Sequence, residues 1–290
     1  MINLYWWREE PNFGDAASEY IISRLFGDVC WCMPQLTLKK EIIRLLRCIK
    51  YNRKYTLPDF RGYVYPWHKG LFAVGSILDF SNYKTIIWGS GFREYESFFK
   101  GGRVYAVRGK LSLAKIPKES QVGNVALGDP ALLLPLIYRP RLQNKYKVSI
   151  VPHFVEYDYF KATYGEKYHI IDVRTNNVEF VIDEIVNSQY ILSSSLHGLI
   201  VAHAYRIPAL WIKHGWINSS EYKFMDYFSG VEMELYDGFS DTSLCLESFE
   251  KIEELFQRHH HLTKIDNIKD IQQKLIETFP LTACNNIRVI

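Results

Sequence analysis

Short apolar runs alternate with longer amphipathic ones along nearly the whole chain, and these two periods assign most of its elements. "INLYWW", from residue 2, reads as a strand. "DAASEYIISRLFG", from residue 15, reads as a helix with Asp15 as its N-cap and Gly27 as its stop. "GLFAVGSIL" and "KTIIWGSG" read as strands ending in glycine, and "GRVYAVRG" as a further strand. "DPALLLPLI" opens on an Asp cap, Asp129, and puts Pro130 at the first helical position, where a missing N–H costs nothing.

After the polar bridge "YRPRLQNK" the pattern restarts. "YKVSIVPH", "YHIIDV", "YILSSS" and "PALWIKH" read as strands, with helices over "NVEFVIDEIVNSQ" and "LHGLIVAHAY" between them. Runs this continuously apolar suit parallel strands covered on both faces. At 290 residues the chain is long for one domain, so two α/β domains are expected, 1–145 and 146–290. The last helix, about 266–279, could pack back on either.

In open α/β sheets ligands bind beyond the carboxyl ends of the strands, where helix N-termini offer free N–H groups. Asp15 follows the first strand, Gly75 and Ser76 the next. Gly89, Ser90, Gly91 and Arg93 follow another, Arg108 ends a fourth, and His153 and His197 follow strands of the second half. At a first helical turn the positive dipole end favours a neutral His197 ring, and an arriving anion favours imidazolium, so an anion site makes chemical sense. The plain alternative has Ser194 or Ser195 capping that helix and His197 bonding locally. Tight turns explain Gly75, Gly89 and Gly91 as well as ligand approach does.

Composition narrows the class. Nearly half the residues are hydrophobic and 15% aromatic, enough for a sizeable core. A net charge of +3, without zinc-finger or basic-zipper patterns, argues against nucleic acid as a partner. The opening segment lacks a basic stretch followed by an apolar one, which gives the expectation of a cytoplasmic chain. Five cysteines show no disulfide framework, and the Cys30-x-Cys32 pair lacks partners for a zinc site. His259, His260 and His261 are adjacent, point in different directions on a helix and read as polar surface. No metal site is expected.

"NFGD", "AVGSILDF", "IIWGSGF", "VRGKLSLAKI", "LGDPALLLP", "VPHF" and "SSSLHGLIVAHAYRIPALWI" occur in this order over most of residues 4–213. Together they resemble the polysaccharide pyruvyl transferase family, especially its exopolysaccharide ketal-pyruvyltransferase branch. The resemblance implies two Rossmann-like domains in a GT-B-like arrangement, with the acceptor on the N-terminal side and the donor on the C-terminal side. It also implies that phosphoenolpyruvate donates its pyruvyl unit to two hydroxyls of one sugar. Phosphoenolpyruvate is then a donor substrate, and no cofactor is needed.

Such chemistry requires an acid for the methylene carbon, a base for the hydroxyls, and cations for phosphate and carboxylate. His197 takes the phosphate or general-acid role, Asp15 the acceptor-hydroxyl role, and His153 a second acid–base role. Arg108 and Arg93 would bind the donor anion. Asn12, Gly75, Ser76, Ser90, Gly91, Ser194, Ser195 and Lys213 complete the substrate-binding set. One departure stands out: many family members carry Arg two residues before the motif histidine, where this chain has Ser195. Lys110 or Lys213 could supply charge from elsewhere. The competing readings are a GT-B glycosyltransferase using a nucleotide sugar, which lacks support from paired Glu residues eight apart, and a non-catalytic member acting in binding or assembly.

Residues 39–54, "KKEIIRLLRCIKYNRK", hold seven Lys or Arg against one acid, with Lys40, Arg44, Arg47 and Lys54 at helical spacing and Ile42, Leu45, Leu46 and Ile49 alongside. This composition suits a helix lying on an anionic membrane surface. With the family's lipid-linked polysaccharide precursors, it gives the expectation of peripheral attachment at the inner face of the cell membrane. Trp6, Trp7 and Trp216 could stack on sugar faces.

Overall fold

The computed structural model describes residues 2–31, 69–215 and 221–280, with positions 42, 45, 46, 49 and 50 between them. It holds two parallel sheets. The first has six strands, in the order β2-β1-β3-β4-β5-β6. They are β1 (Ile2–Tyr5), β2 (Val29–Trp31), β3 (Gly70–Phe72), β4 (Thr85–Trp88), β5 (Arg103–Val107) and β6 (Gln121–Leu127). The second has four strands in the order β10-β9-β7-β8, namely β7 (Tyr146–Val151), β8 (His169–Ile170), β9 (Ser188–Ser193) and β10 (Ala209–Trp211). The alternation of apolar strands and amphipathic helices therefore yields a mixed α/β fold with parallel sheets.

Among the described residues the helices with both ends defined are α1 (Phe13–Leu25), α2 (Lys110–Ala114), α3 (Tyr157–Tyr164), α4 (Val178–Val186), α5 (Leu196–Ala204), α6 (Tyr222–Gly230), α7 (Thr242–Cys245), α8 (Phe249–Arg258) and α9 (Ile268–Glu277). Asp15 is not the cap expected of it: α1 begins two residues earlier, and the Asn12 side chain accepts from Gly14 N at 3.0 Å. Asn12 is extended at φ −153°, as an N-cap should be, which leaves Asp15 free of capping duty inside the first turn. Gly27 does stop the helix, in the left-handed region at φ 122°. Asp129 caps as expected, accepting from Ala131 N at 2.9 Å, but the segment Pro130–Leu136 winds as a 3-10 helix because Pro135 removes an N–H from its interior.

α1 is bonded to segments that flank the second sheet. Tyr20 Oη donates to Glu179 on α4 at 2.6 Å, and Phe13 N donates to Val173 O at 3.1 Å. The last helix returns to the first sheet. Trp88 Nε1 donates to Leu275 O at 2.9 Å, Gln272 Nε2 to Leu132 O at 2.7 Å, and Phe279 stacks on Phe26.

Candidate active site

The carboxyl ends of β1, β7 and β9 and the N-termini of α1 and α5 bring the key groups together. α5 starts at Ser195, whose hydroxyl accepts from Gly198 N at 3.4 Å, so His197 lies in its first turn. The ring is pressed against α1: a Cβ on Gly14 would stand 2.2 Å from His197 Nδ1. Only glycine leaves room there. On its other side, His197 Nε2 is 4.0 Å from Asp129 Oδ2, and both atoms are buried without a hydrogen-bond partner. Burial, with the positive charges of Arg108 and Lys223, lowers the His197 pKa to about 3, so the ring is neutral. Burial raises Asp129 to about 6 against the opposing Ala131 N–H and Arg108.

A second group lies beyond β7. Ser194 Oγ accepts from His153 N at 2.9 Å and donates to Glu156 Oε2 at 2.6 Å. Glu156 Oε1 and His153 Nδ1 are buried and unpaired. Buried polar atoms without partners are rare in native proteins and call for a functional account. Burial lifts Glu156 to about 7 and drops His153 to about 3, Lys223 assisting the latter and opposing the former.

Lys223, on α6, is the hub. It is 7% exposed, and its charge acts on Asp15, His153, Glu156 and His197. Burial, then the like charges of Arg108 and Arg93, bring its pKa down to about 8, with Glu156 and Asp15 opposing. Asp15 is raised to about 7 by burial, Lys223 opposing. Its Oδ1 lies beside Gly75, where a Cβ would stand 3.9 Å away and where φ is 115°. Two carboxyls near 7 and an ammonium near 8 are matched to proton transfer at neutral pH.

Arg108 is elsewhere engaged. Fully buried, its guanidinium donates to Asp226 Oδ2 at 3.0 Å from Nε, to Ser76 Oγ at 2.6 Å and to Phe92 O at 2.6 Å. Asp226 also accepts from Ser112 N and Ser112 Oγ, both at 2.7 Å. Arg108 therefore acts as an internal brace, and it reaches the site through its charge. Gly91 packs on that guanidinium, Ser90 Oγ donates to Ala73 O at 2.6 Å, and exposed Arg93 pairs with Glu94 at 2.8 Å. Lys213 Nζ donates to Glu221 at 2.6 Å.

The sequence reading missed α6 altogether. Its signal was present in "EYKFMDYFSG", where Lys223 and Asp226 stand one turn apart among aromatics, an arrangement that buries both charges. Among the described residues, no group of three or more His, Cys, Asp or Glu side chains is placed to hold a metal ion, and no helix is long and apolar enough to cross a membrane. His260 and His261 are exposed, His261 lying 3.4 Å from Glu234. Trp216 and the stripe Lys40, Arg44, Arg47 and Lys54 lie outside the described residues.

The family described as polysaccharide pyruvyl transferase matches residues 36–215. The chain is similar to the uncharacterized protein L143 of Acanthamoeba polyphaga mimivirus, 30% identical over 247 residues that cover 81% of this chain and 77% of that protein. It is also similar to the succinoglycan biosynthesis protein ExoV of Rhizobium meliloti (strain 1021), 32% identical over 169 residues, covering 53% and 51% respectively. No solved structure matches it.

Proposed function

Because the chain belongs to the polysaccharide pyruvyl transferase family, we propose that it moves the pyruvyl group of phosphoenolpyruvate onto two hydroxyls of one sugar, forming a cyclic ketal and releasing phosphate. The observation that carries this reading is the buried ammonium of Lys223 set among Asp15, Glu156, His153 and His197, several with unpaired atoms. A trianionic donor needs buried cations, and Lys223 supplies one where the Ser195 loop offers no guanidinium.

The proton balance fits two acid–base groups. One proton adds to the donor's methylene carbon, and cationic character develops at the carbon bearing carboxylate and phosphate. One sugar hydroxyl attacks that carbon and the C–O bond to phosphate breaks. The second hydroxyl then closes the ketal. Of the two hydroxyl protons, one replaces the proton spent on carbon and the other leaves on phosphate. Asp15, near 7, takes a hydroxyl proton. Burial holds His197 neutral, and an incoming dianion favours its protonated form, which can then donate to phosphate oxygen.

The test is to incubate the protein with phosphoenolpyruvate and saccharide acceptors and to follow inorganic phosphate and ketal formation. His197→Ala is expected to lower turnover about 100-fold or more in a folded protein, as for loss of an acid–base group. Near-normal turnover would remove His197 from the chemistry. Residues 39–54 support a further part of the reading, docking on anionic membranes: Ile42, Leu45, Leu46 and Ile49 are helical and exposed. Equal sedimentation with neutral and anionic liposomes would defeat that part.

A further inference from the structure

A cluster of aromatic side chains stands at the same edge of the first sheet as Asp15 and has no part in the chemistry above. Three neighbouring strands supply it. Trp6, Trp7 and Arg8 directly follow β1, Trp31 ends β2, and Phe80 lies in the turn after β3. The Trp7 and Phe80 rings are close to parallel, 28° apart in plane with centroids at 6.5 Å. They are 38% and 39% exposed, so both large rings present surface to solvent instead of joining the core. Beneath them the support is rigid: Phe80 meets the edge of Tyr5 at 5.9 Å, and Tyr5 rests on Phe72 at 5.2 Å, the last two being buried. The exposed Arg8 guanidinium, next in the chain, lies 5.5 Å from the Trp6 ring and 5.2 Å from that of Trp31. Trp31 Nε1 donates to Trp6 O at 3.2 Å and ties that side down.

We infer that Trp7 and Phe80 form a shelf that binds a pyranose ring of a saccharide acceptor next to the ring that is modified. A pyranose carries C–H groups on one face and hydroxyls around its rim. The exposed faces of two near-parallel aromatic rings match the C–H face by dispersion and leave the hydroxyl rim to solvent. Two backbone connections run from the shelf into the site. Arg8 leads to Asn12 and Asp15, and Phe80 is preceded by Gly75 and Ser76, Gly75 lying against Asp15. The acceptor inferred is at least two rings long, one ring on the shelf and the modified one at the Asp15 carboxyl of the same sheet edge. The acceptor class rests on the pyruvyl-transfer reading; the shelf rests on its own geometry.

The experiment titrates the full chain with saccharides of one to six rings, released from bacterial exopolysaccharides by partial hydrolysis and freed of pyruvate. Affinity is read by calorimetry. In the unaltered protein affinity is expected to rise at least tenfold from one ring to several. Trp7→Ala and Phe80→Ala should each lose most of that gain, Trp7→Phe should keep most of it, and all three should bind phosphoenolpyruvate normally. Absence of any gain with length, failure of every saccharide to bind, or a Trp7→Ala titration like that of the unaltered protein would each overturn the shelf. Length-dependent binding that needs Trp7, without phosphate release from phosphoenolpyruvate, would support the shelf and instead remove the transfer reaction.

Discussion

Replacing Asp226 by Asn leaves the Arg108 guanidinium charged and buried without its ion-pair partner. The native carboxylate receives Arg108 Nε and Nη2, both at 3.0 Å, and neither side chain has any exposed surface. Removing one partner of such a pair costs about 3–5 kcal/mol, since the remaining charge keeps its full desolvation penalty. The Asn amide also turns a donor toward Ser112 N or Arg108 and forfeits part of the set of three hydrogen bonds that Asp226 now accepts. Against a total stability of about 5–15 kcal/mol this is a large share, and the melting temperature should fall by about ten degrees. Urea unfolding of Asp226→Asn, Arg108→Met and the double variant Arg108→Met/Asp226→Leu tests the reasoning. The double variant should lose less than the sum of its parts, because it leaves no orphaned charge. An Asp226→Asn cost below about 1 kcal/mol, or simple additivity, would show that the pair is not the buried brace described.

Three further outcomes are expected. Gly14→Ala should drive the His197 ring from its place, lowering turnover at least about tenfold while the overpacking costs only about 1–3 kcal/mol in urea unfolding; full activity would detach the ring's position from catalysis. If Asp15 must be ionised as base and Lys223 protonated as anion ligand, kcat/KM rises as pH increases through about 7 and falls beyond about 8. Asp15→Asn should erase the acidic limb of whatever activity remains, and an unchanged limb would assign it to Glu156. His203 is buried, lowered to about 4 by desolvation, and paired with Tyr227 Oη at 3.0 Å. Its folded pKa lies below its unfolded one, so it contributes stability above about pH 6.5 that is lost as pH falls toward 4, about 3 kcal/mol in all; His203→Gln should flatten that slope, and an unaltered slope would refute the account.

Much of the architecture was legible because buried parallel strands are near-continuous apolar runs, as "KTIIWGSG" and "YILSSS" show. β6 was harder: "QVGNVAL" carries polar residues and a glycine, and two of its positions, Gly123 and Asn124, are exposed. Asp15 reads as a cap because it is a carboxyl ahead of an apolar run, and only the backbone shows Asn12 in that role. Arg108 was singled out because it ends a buried strand. What sequence could not convey is that its partner, Asp226, lies 118 positions along the chain. The same limit hid Lys223, whose significance arises from four side chains supplied by other elements.

The return of α9 to the first sheet bears on how the chain folds as it is made. Trp88 Nε1 finds its acceptor on Leu275, and Phe26 its stacking partner on Phe279. Every strand of the first sheet has left the ribosome well before either partner exists. Until then one flank of that sheet exposes an indole and a phenyl ring to other chains, the kind of surface that favours association of incomplete polypeptides. The N-terminal half is thus synthesised first and finished last, and shortening the chain ahead of Ile268 would leave it permanently in that unfinished condition.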